Sequence, residues 1–179
     1  MNAEQEKTLL ETARAGIREY LETGRRLDFR PQDPVLLEKR GLFVTLKKAG
    51  RLRGCIGYPL PLKPLNQALV EMAIAAATED PRFPPLQAGE LDQVEIEISL
   101  LTPPLEISDP AEVVVGRDGL VVSKGHKRGL LLPQVTVEQG WDRETLLEHC
   151  CLKAGLPADA WRAGVKMEVF QAEIFAERA

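Results

Sequence analysis

"GLFVTLKKAGRLRGCIGY", residues 41–58, is the stretch that decides the fold. Leu42, Val44 and Leu46 alternate with Phe43, Thr45 and Lys47, the period-two pattern of a strand with one face buried. "KAGR" turns the chain and "LRGCIGY" returns it, so the stretch predicts a β-hairpin. On the return strand Leu52, Gly54 and Ile56 are expected on one face, with Arg51, Arg53, Cys55 and Gly57 on the other. A cysteine framed by Gly54 and Gly57 admits three readings. It can be a reactive thiol that Arg53, on the same face, pushes toward thiolate. The glycines can open a binding site by letting a ligand or a second backbone approach. Or Cys55 can be an inert small residue packed in the strand.

Upstream of the hairpin, Asn2 and Gln5 have capping-box spacing, and Leu10, Ala13, Ile17 and Tyr20 form an apolar stripe. This predicts a helix over residues 2–23, stopped by Gly24. Downstream, Leu65 to Thr78 reads as a strongly apolar helix, ended because Pro81 disfavours helical geometry at Asp80. "EDPRFPP" follows, residues 79–85. Its prolines stiffen the chain around Arg82 and Phe83, which suits recognition of an anion or a flat ligand. The plainer reading makes it a helix-to-strand connection in which Phe83 plugs the core and Arg82 pairs with Asp80.

"VEIEISLL", residues 94–101, alternates as a half-buried strand with an acidic outer face. "VVVGRDGLVVS" predicts a second hairpin turning at Asp118-Gly119, and "RGLLLP" a further strand. Asp142 is placed to cap a helix, Trp141 and Leu146 have staple spacing, and Gly155 ends it. "VKMEVFQAEIFAE" closes the chain as a last strand. Strands outnumber helices and hairpins outnumber crossovers, which gives an α+β class with a mainly antiparallel sheet.

Composition narrows the function. A chain of 179 residues, 44% hydrophobic and 28% charged, is long enough for one domain with a sizeable core, or for two fused lobes. A net charge of −4 argues against a general nucleic-acid binder. The basic loop "SKGHKRG", with Lys124, His126, Lys127 and Arg128, leaves a local nucleic-acid or anion patch as a rival reading. Apolar runs are far too short for a membrane span, and the charged N-terminus lacks a signal-peptide core. Three cysteines, two of them adjacent, make no disulfide framework, so a cytoplasmic protein is expected. Phosphate-loop, dinucleotide, zinc-protease and nucleophile-elbow motifs are absent, and no cofactor or metal is expected.

"LRGCIGY", "EDPRFPPL", "VEIEISLLTPP", "VGRDGLVV", "RGLLLPQV" and "GWDRETLLEHCCLKAGLP" together resemble the AMMECR domain, from about Leu36 to Phe175. The resemblance is nearer to its bacterial and archaeal branch, AmmeMemoRadiSam system protein A. It implies a single domain over residues 1–179, with two subdomains around a barrel-like antiparallel sheet and flanking helices. It also implies companions, a Memo-like protein and a radical SAM protein. The eukaryotic branch has a histidine before the glycine where this chain has Arg117-Asp118-Gly119, so no role passes from that histidine.

The expectation for the site follows. Cys55 lies near a cleft, with Arg53, Asp80 and Arg82 sharing it as candidate catalytic residues. Gly54, Gly57, Phe83, Lys124 and His126 are candidate binding residues, and His126 is the one histidine placed as a possible partner of the thiol. Binding of a partner or ligand, catalysis through Cys55 as nucleophile or thiol carrier, and nucleic-acid binding are the three functions to separate.

Overall fold

The structure, a computed structural model, describes residues 1–177 and divides into two compact units. The first comprises Met1–Leu101 and the chain from Glu173 onward, the second Thr102–Ala172.

In the first unit, helix α1 (Ala3–Thr23) begins as its sequence dictates. The Asn2 side chain accepts from the Gln5 N–H, Gln5 answers at the Asn2 N–H, and Gly24 closes the helix at φ 73°. The hairpin forms from β1 (Leu42–Lys48) and β2 (Arg51–Tyr58), antiparallel, with Thr45 opposite Cys55. Its two-residue turn holds Ala49 at φ 49° and Gly50 at φ 74°, as a tight hairpin of that length requires. Helix α2 (Leu65–Thr78) follows, then β3 (Val94–Leu101), which pairs antiparallel with β1. The strand β8 (Ala172–Ala176) lies beyond β3, giving the order β2-β1-β3-β8. Leu42, Val44, Leu46, Ile96, Ile98 and Leu100 are all buried, and they form one core with Leu9, Ala13, Ile17, Leu65, Leu69 and Ala73 of the two helices. The alternation read from the sequence is thus the inner face of this sheet.

The second unit is a sheet of order β4-β7-β5-β6, built from β4 (Leu105–Ile107), β5 (Gly119–Lys124), β6 (Lys127–Leu131) and β7 (Lys166–Phe170). Helices α3 (Pro133–Gln139) and α4 (Arg143–Lys153) accompany it. Asp142 caps α4 by accepting from the Thr145 N–H. Leu146, Leu147, Cys150 and Cys151 bury against Leu120, Val122, Leu131 and Met167.

Three expectations are corrected. The sheets are two separate four-stranded sheets, and neither closes into a barrel. Val113 to Asp118 is not a strand: the N–H groups of Arg117 and Asp118 both turn back to the Val114 carbonyl, and β5 takes β6 and β7 as neighbours. Val114 and Val115 are exposed, so their apolar run marks a turn rather than a ladder. The final stretch breaks at Gln171 into strands of different sheets. There Thr102 donates its N–H to the Gln171 carbonyl and accepts the Gln171 N–H on its hydroxyl, both at 2.8 Å. Helix α3 has no sequence forecast, because Val135, Thr136 and Val137 have strand propensity; Pro133 in its first turn and Gly140 at φ 64° define its ends instead. Among the described residues, no helix is long and apolar enough to cross a membrane.

Candidate functional site

Gly54 shows why the hairpin carries glycine. A Cβ there would come within 2.1 Å of the Ala76 carbonyl oxygen, so only a bare α-carbon lets α2 lie this close to β2. Gly57 serves a different neighbour. Its Cβ would strike the Phe43 ring at 2.5 Å and the Leu42 carbonyl at 2.3 Å. Both glycines therefore admit parts of the protein itself, and neither keeps a wall low for a ligand.

With Gly54 directed at the helix, Cys55 faces the other way and is half-buried. Its neighbours come from three segments. Across the hairpin, Thr45 donates its hydroxyl to the Cys55 sulfur at 3.2 Å. After α2, Asp80 accepts the Cys55 N–H at 2.8 Å. Arg82 then donates to the same carboxylate through Nε at 2.9 Å and Nη2 at 2.7 Å, and its own N–H reaches Oδ1 at 3.1 Å. Nη2 of Arg82 lies 3.4 Å from the Cys55 carbonyl. Asp80 is only 4% exposed, while the Arg82 side chain is 54% exposed. A buried carboxylate is thus held by a strand amide on one side and a surface guanidinium on the other.

These contacts set the charges. The hydrogen bonds from Arg82 hold the Asp80 carboxyl well below the ordinary carboxylate range, against the opposing pull of burial. Burial pushes the Cys55 thiol up, and the Thr45 hydroxyl and the Arg82 charge offset this in part. The expected push toward thiolate by Arg53 is absent. A bulge in the β1–β2 register falls at Arg53, since Gly54 faces Leu46 while Leu52 faces Lys47. The side chain goes instead to Glu90, bonding both carboxylate oxygens at 2.9 and 3.0 Å. Glu90 also takes Lys48 at 3.1 Å, and the Arg53 bonds above all hold its carboxyl down at about 2. Phe83 does not plug the core. It is half-buried, with the Arg82 and Arg53 guanidinium carbons 5.6 and 6.0 Å from its ring centroid.

The structure therefore brings together Cys55, Asp80 and Arg82 by direct bonds, and Arg53 through Phe83. Lys124 and His126 belong to the second unit, where Gly125-His126 is the turn between β5 and β6. Cys150 and Cys151 are buried in that unit's core, and burial pushes the Cys150 thiol up to about 12. Sequence reading missed Thr45, Glu90 and Lys48. A two-residue turn at Ala49-Gly50 alone would set Thr45 opposite Gly54, and the bulge at Arg53 is what brings it opposite Cys55. Glu90 lies in a short helical turn, Ala88–Gln93, that no sequence pattern marks. Among the described residues, no three His, Cys, Asp or Glu side chains gather as a metal site.

A hairpin whose second strand seats a helix on Gly54 and presents Cys55 beside a buried aspartate–arginine clamp defines a class of α+β protein. The chain belongs to the AMMECR1 family, whose model matches residues 10–175. A protein from Methanopyrus kandleri is 49% identical over 99% of this chain and 90% of its own length. One from Methanothermobacter thermautotrophicus is 49% identical over 99% of this chain and 96% of its own. The crystal structure of an uncharacterised Pyrococcus horikoshii protein superposes with a TM-score of 0.89, at 46% identity, covering 99% of this chain and 94% of that one.

Proposed function

We propose that this protein is a binding component of a multi-protein system, of the AmmeMemoRadiSam protein A branch, that docks a partner or ligand on the Cys55–Arg82 face. The partners proposed are a Memo-like protein and a radical SAM protein. One observation carries the reading: Arg82 is half exposed yet fixed by two bonds to a buried carboxylate, beside Phe83 and the half-buried thiol. A pre-positioned guanidinium loses little conformational entropy on binding. The thiol, by contrast, is pushed up by burial, which disfavours a resting nucleophile.

Co-expression with a Memo-like and a radical SAM protein from one cell tests this. Capture of either by the native protein, with capture reduced at least about tenfold by Arg82→Glu, is the expected result. Failure to capture either sinks the partner assignment. Catalysis through Cys55 is the second reading, favoured by the Thr45 hydroxyl and the Arg82 charge beside the sulfur. Rapid, selective alkylation of native Cys55 at pH 7, with loss of a partner-dependent activity in both Cys55→Ser and Cys55→Ala, would move the assignment to that reading. Slow alkylation with function kept in Cys55→Ser supports binding.

A further inference from the structure

Arg53 and Arg82 are each tied along one edge to a carboxylate, through Nε and Nη2, to Glu90 and Asp80 respectively. In each, Nη1 makes no bond to another described residue. The two guanidinium carbons lie within 6.0 Å of the same Phe83 ring centroid, so both neighbour one aromatic side chain. Arg53 is a guanidinium whose side chain is only 12% exposed. The Arg82 side chain is 54% exposed, and the Arg53 Nη1 is not among the fully buried unpartnered groups, so neither donor is sealed inside the protein. Arg53, Lys48 and Arg82 face Glu90 and Asp80, three cations against two anions. The cluster is locally positive in a chain of net charge −4.

Surface arginines are usually solvated and mobile. Here the carboxylates fix both planes in advance, and the remaining Nη1 donors are left over. Such donors suit an oxyanion that accepts charge-assisted bonds from two guanidiniums at once. Partial burial strengthens the attraction relative to water, and pre-positioning lowers the entropic cost. Phe83 beside them adds an aromatic surface for whatever group the anion carries.

We infer that the Arg53–Phe83–Arg82 cluster binds a multiply charged oxyanion of phosphate or carboxylate type. This rests on the binding reading of the Cys55 face and names its ligand chemistry. Neutralising each clamp as a pair, Asp80→Asn with Arg82→Gln or Glu90→Gln with Arg53→Gln, removes the guanidinium without leaving an uncompensated buried charge.

The experiment is calorimetric titration of the full chain with inorganic pyrophosphate and, separately, with citrate. Saturable binding at one site, weakening with salt and reduced at least about tenfold by either paired variant, is expected. The matched neutralisation Asp118→Asn with Arg117→Gln, in the second unit, leaves it unchanged. Pyrophosphate alone identifies a phosphate ligand, and citrate alone a carboxylate ligand. Binding of neither probe, or binding equal in all variants, overturns the proposal.

Should a paired variant fail to fold, the native protein decides the matter by NMR. Pyrophosphate or citrate must then shift the Nε–H resonances of Arg53 and Arg82 and spare that of Arg117; unshifted signals overturn it. Partner capture by the Memo-like or radical SAM protein with no anion bound sinks only the ligand chemistry. Loss of capture with anion binding intact sinks only the partner reading.

Discussion

Each unit of this protein seats a helix on a glycine and buries an aspartate under a neighbouring arginine, but the two units use these devices differently. In the first, Gly54 meets the Ala76 carbonyl, and the next residue, Cys55, is tied by its N–H to Asp80. In the second, a Cβ on Gly129 would come within 2.5 Å of the Cys150 carbonyl and 2.6 Å of the Ala154 amide. Its aspartate, Asp118, serves mainly its own turn: it accepts from Val114 N–H at 2.9 Å and from Arg117 at 2.8 Å, with a longer 3.5 Å contact to Gln171. Glycine seating is a packing device in both. The aspartate differs, because Asp80 joins a loop to a strand 25 residues away, and so places Arg82 beside a cysteine.

The glycines give the largest expected effects. Gly54→Ala forces a methyl into helix backbone that no rotamer can move aside, so the first unit should lose at least about 3 kcal/mol. Gly129→Ala should do the same to the second unit. Urea unfolding monitored by Trp141 and Trp161, both of the second unit, and by hydrogen exchange of α2 tells the units apart. A Gly54→Ala protein as stable as wild type would show that the helix is not seated there.

The aspartates come next. Asp80→Ala leaves the Cys55 N–H without its acceptor and Arg82 without its anchor, a cost of about 2 kcal/mol. Asp118→Ala should cost less, about 1 kcal/mol, because most of its bonds restrain a turn that is already short in sequence. Acid should expose the same contrast. The carboxyls of Asp80 and Glu90 are held below their unfolded values, so the unfolded chain binds more protons. Their contribution is complete above about pH 5 and is lost as pH falls toward and through about 2. Stability of the first unit should therefore fall over that range, and fall less steeply in Asp80→Asn. Parallel slopes for wild type and variant would remove Asp80 from the account.

How much of this could be read from the chain depends on the range of the forces involved. The hairpin, both long helices of the first unit and the Asp142 cap follow from local periodicity and capping, and the structure holds them where the sequence puts them. The Asp80–Arg82 pair was legible too, since the two residues are two apart in a stiff loop. What escaped was decided by partners distant in sequence. The bulge that turns Arg53 to Glu90 depends on a pairing register, and Glu90 lies 37 residues away. The break at Gln171 depends on Thr102, 69 residues back. The 113–118 turn read as a strand because its valines have strand propensity, while the bonds that fold it belong to the buried Asp118 carboxylate and the Val114 carbonyl.

The two hairpin turns give the smallest and cleanest test of the comparison. The β1–β2 turn holds Ala49 and Gly50 both at positive φ, whereas the β5–β6 turn needs positive φ at Gly125 and not at His126. Alanine pays a steric cost in the left-handed region, and asparagine tolerates it better because its short polar side chain bonds locally. Ala49→Asn should therefore stabilise the first unit by about 0.5 kcal/mol, with the strand register unchanged. Gly125→Ala introduces the strain that Ala49 already carries, and should destabilise the second unit by about 1 kcal/mol. Nothing in the structure lies within 4 Å of a Cβ at Gly125, so the change measures backbone conformation alone. Opposite signs in chemical denaturation would place the strain in the turn backbone of the first hairpin. A destabilising Ala49→Asn would instead mean that the Ala49 conformation is held by the strands rather than tolerated by the turn.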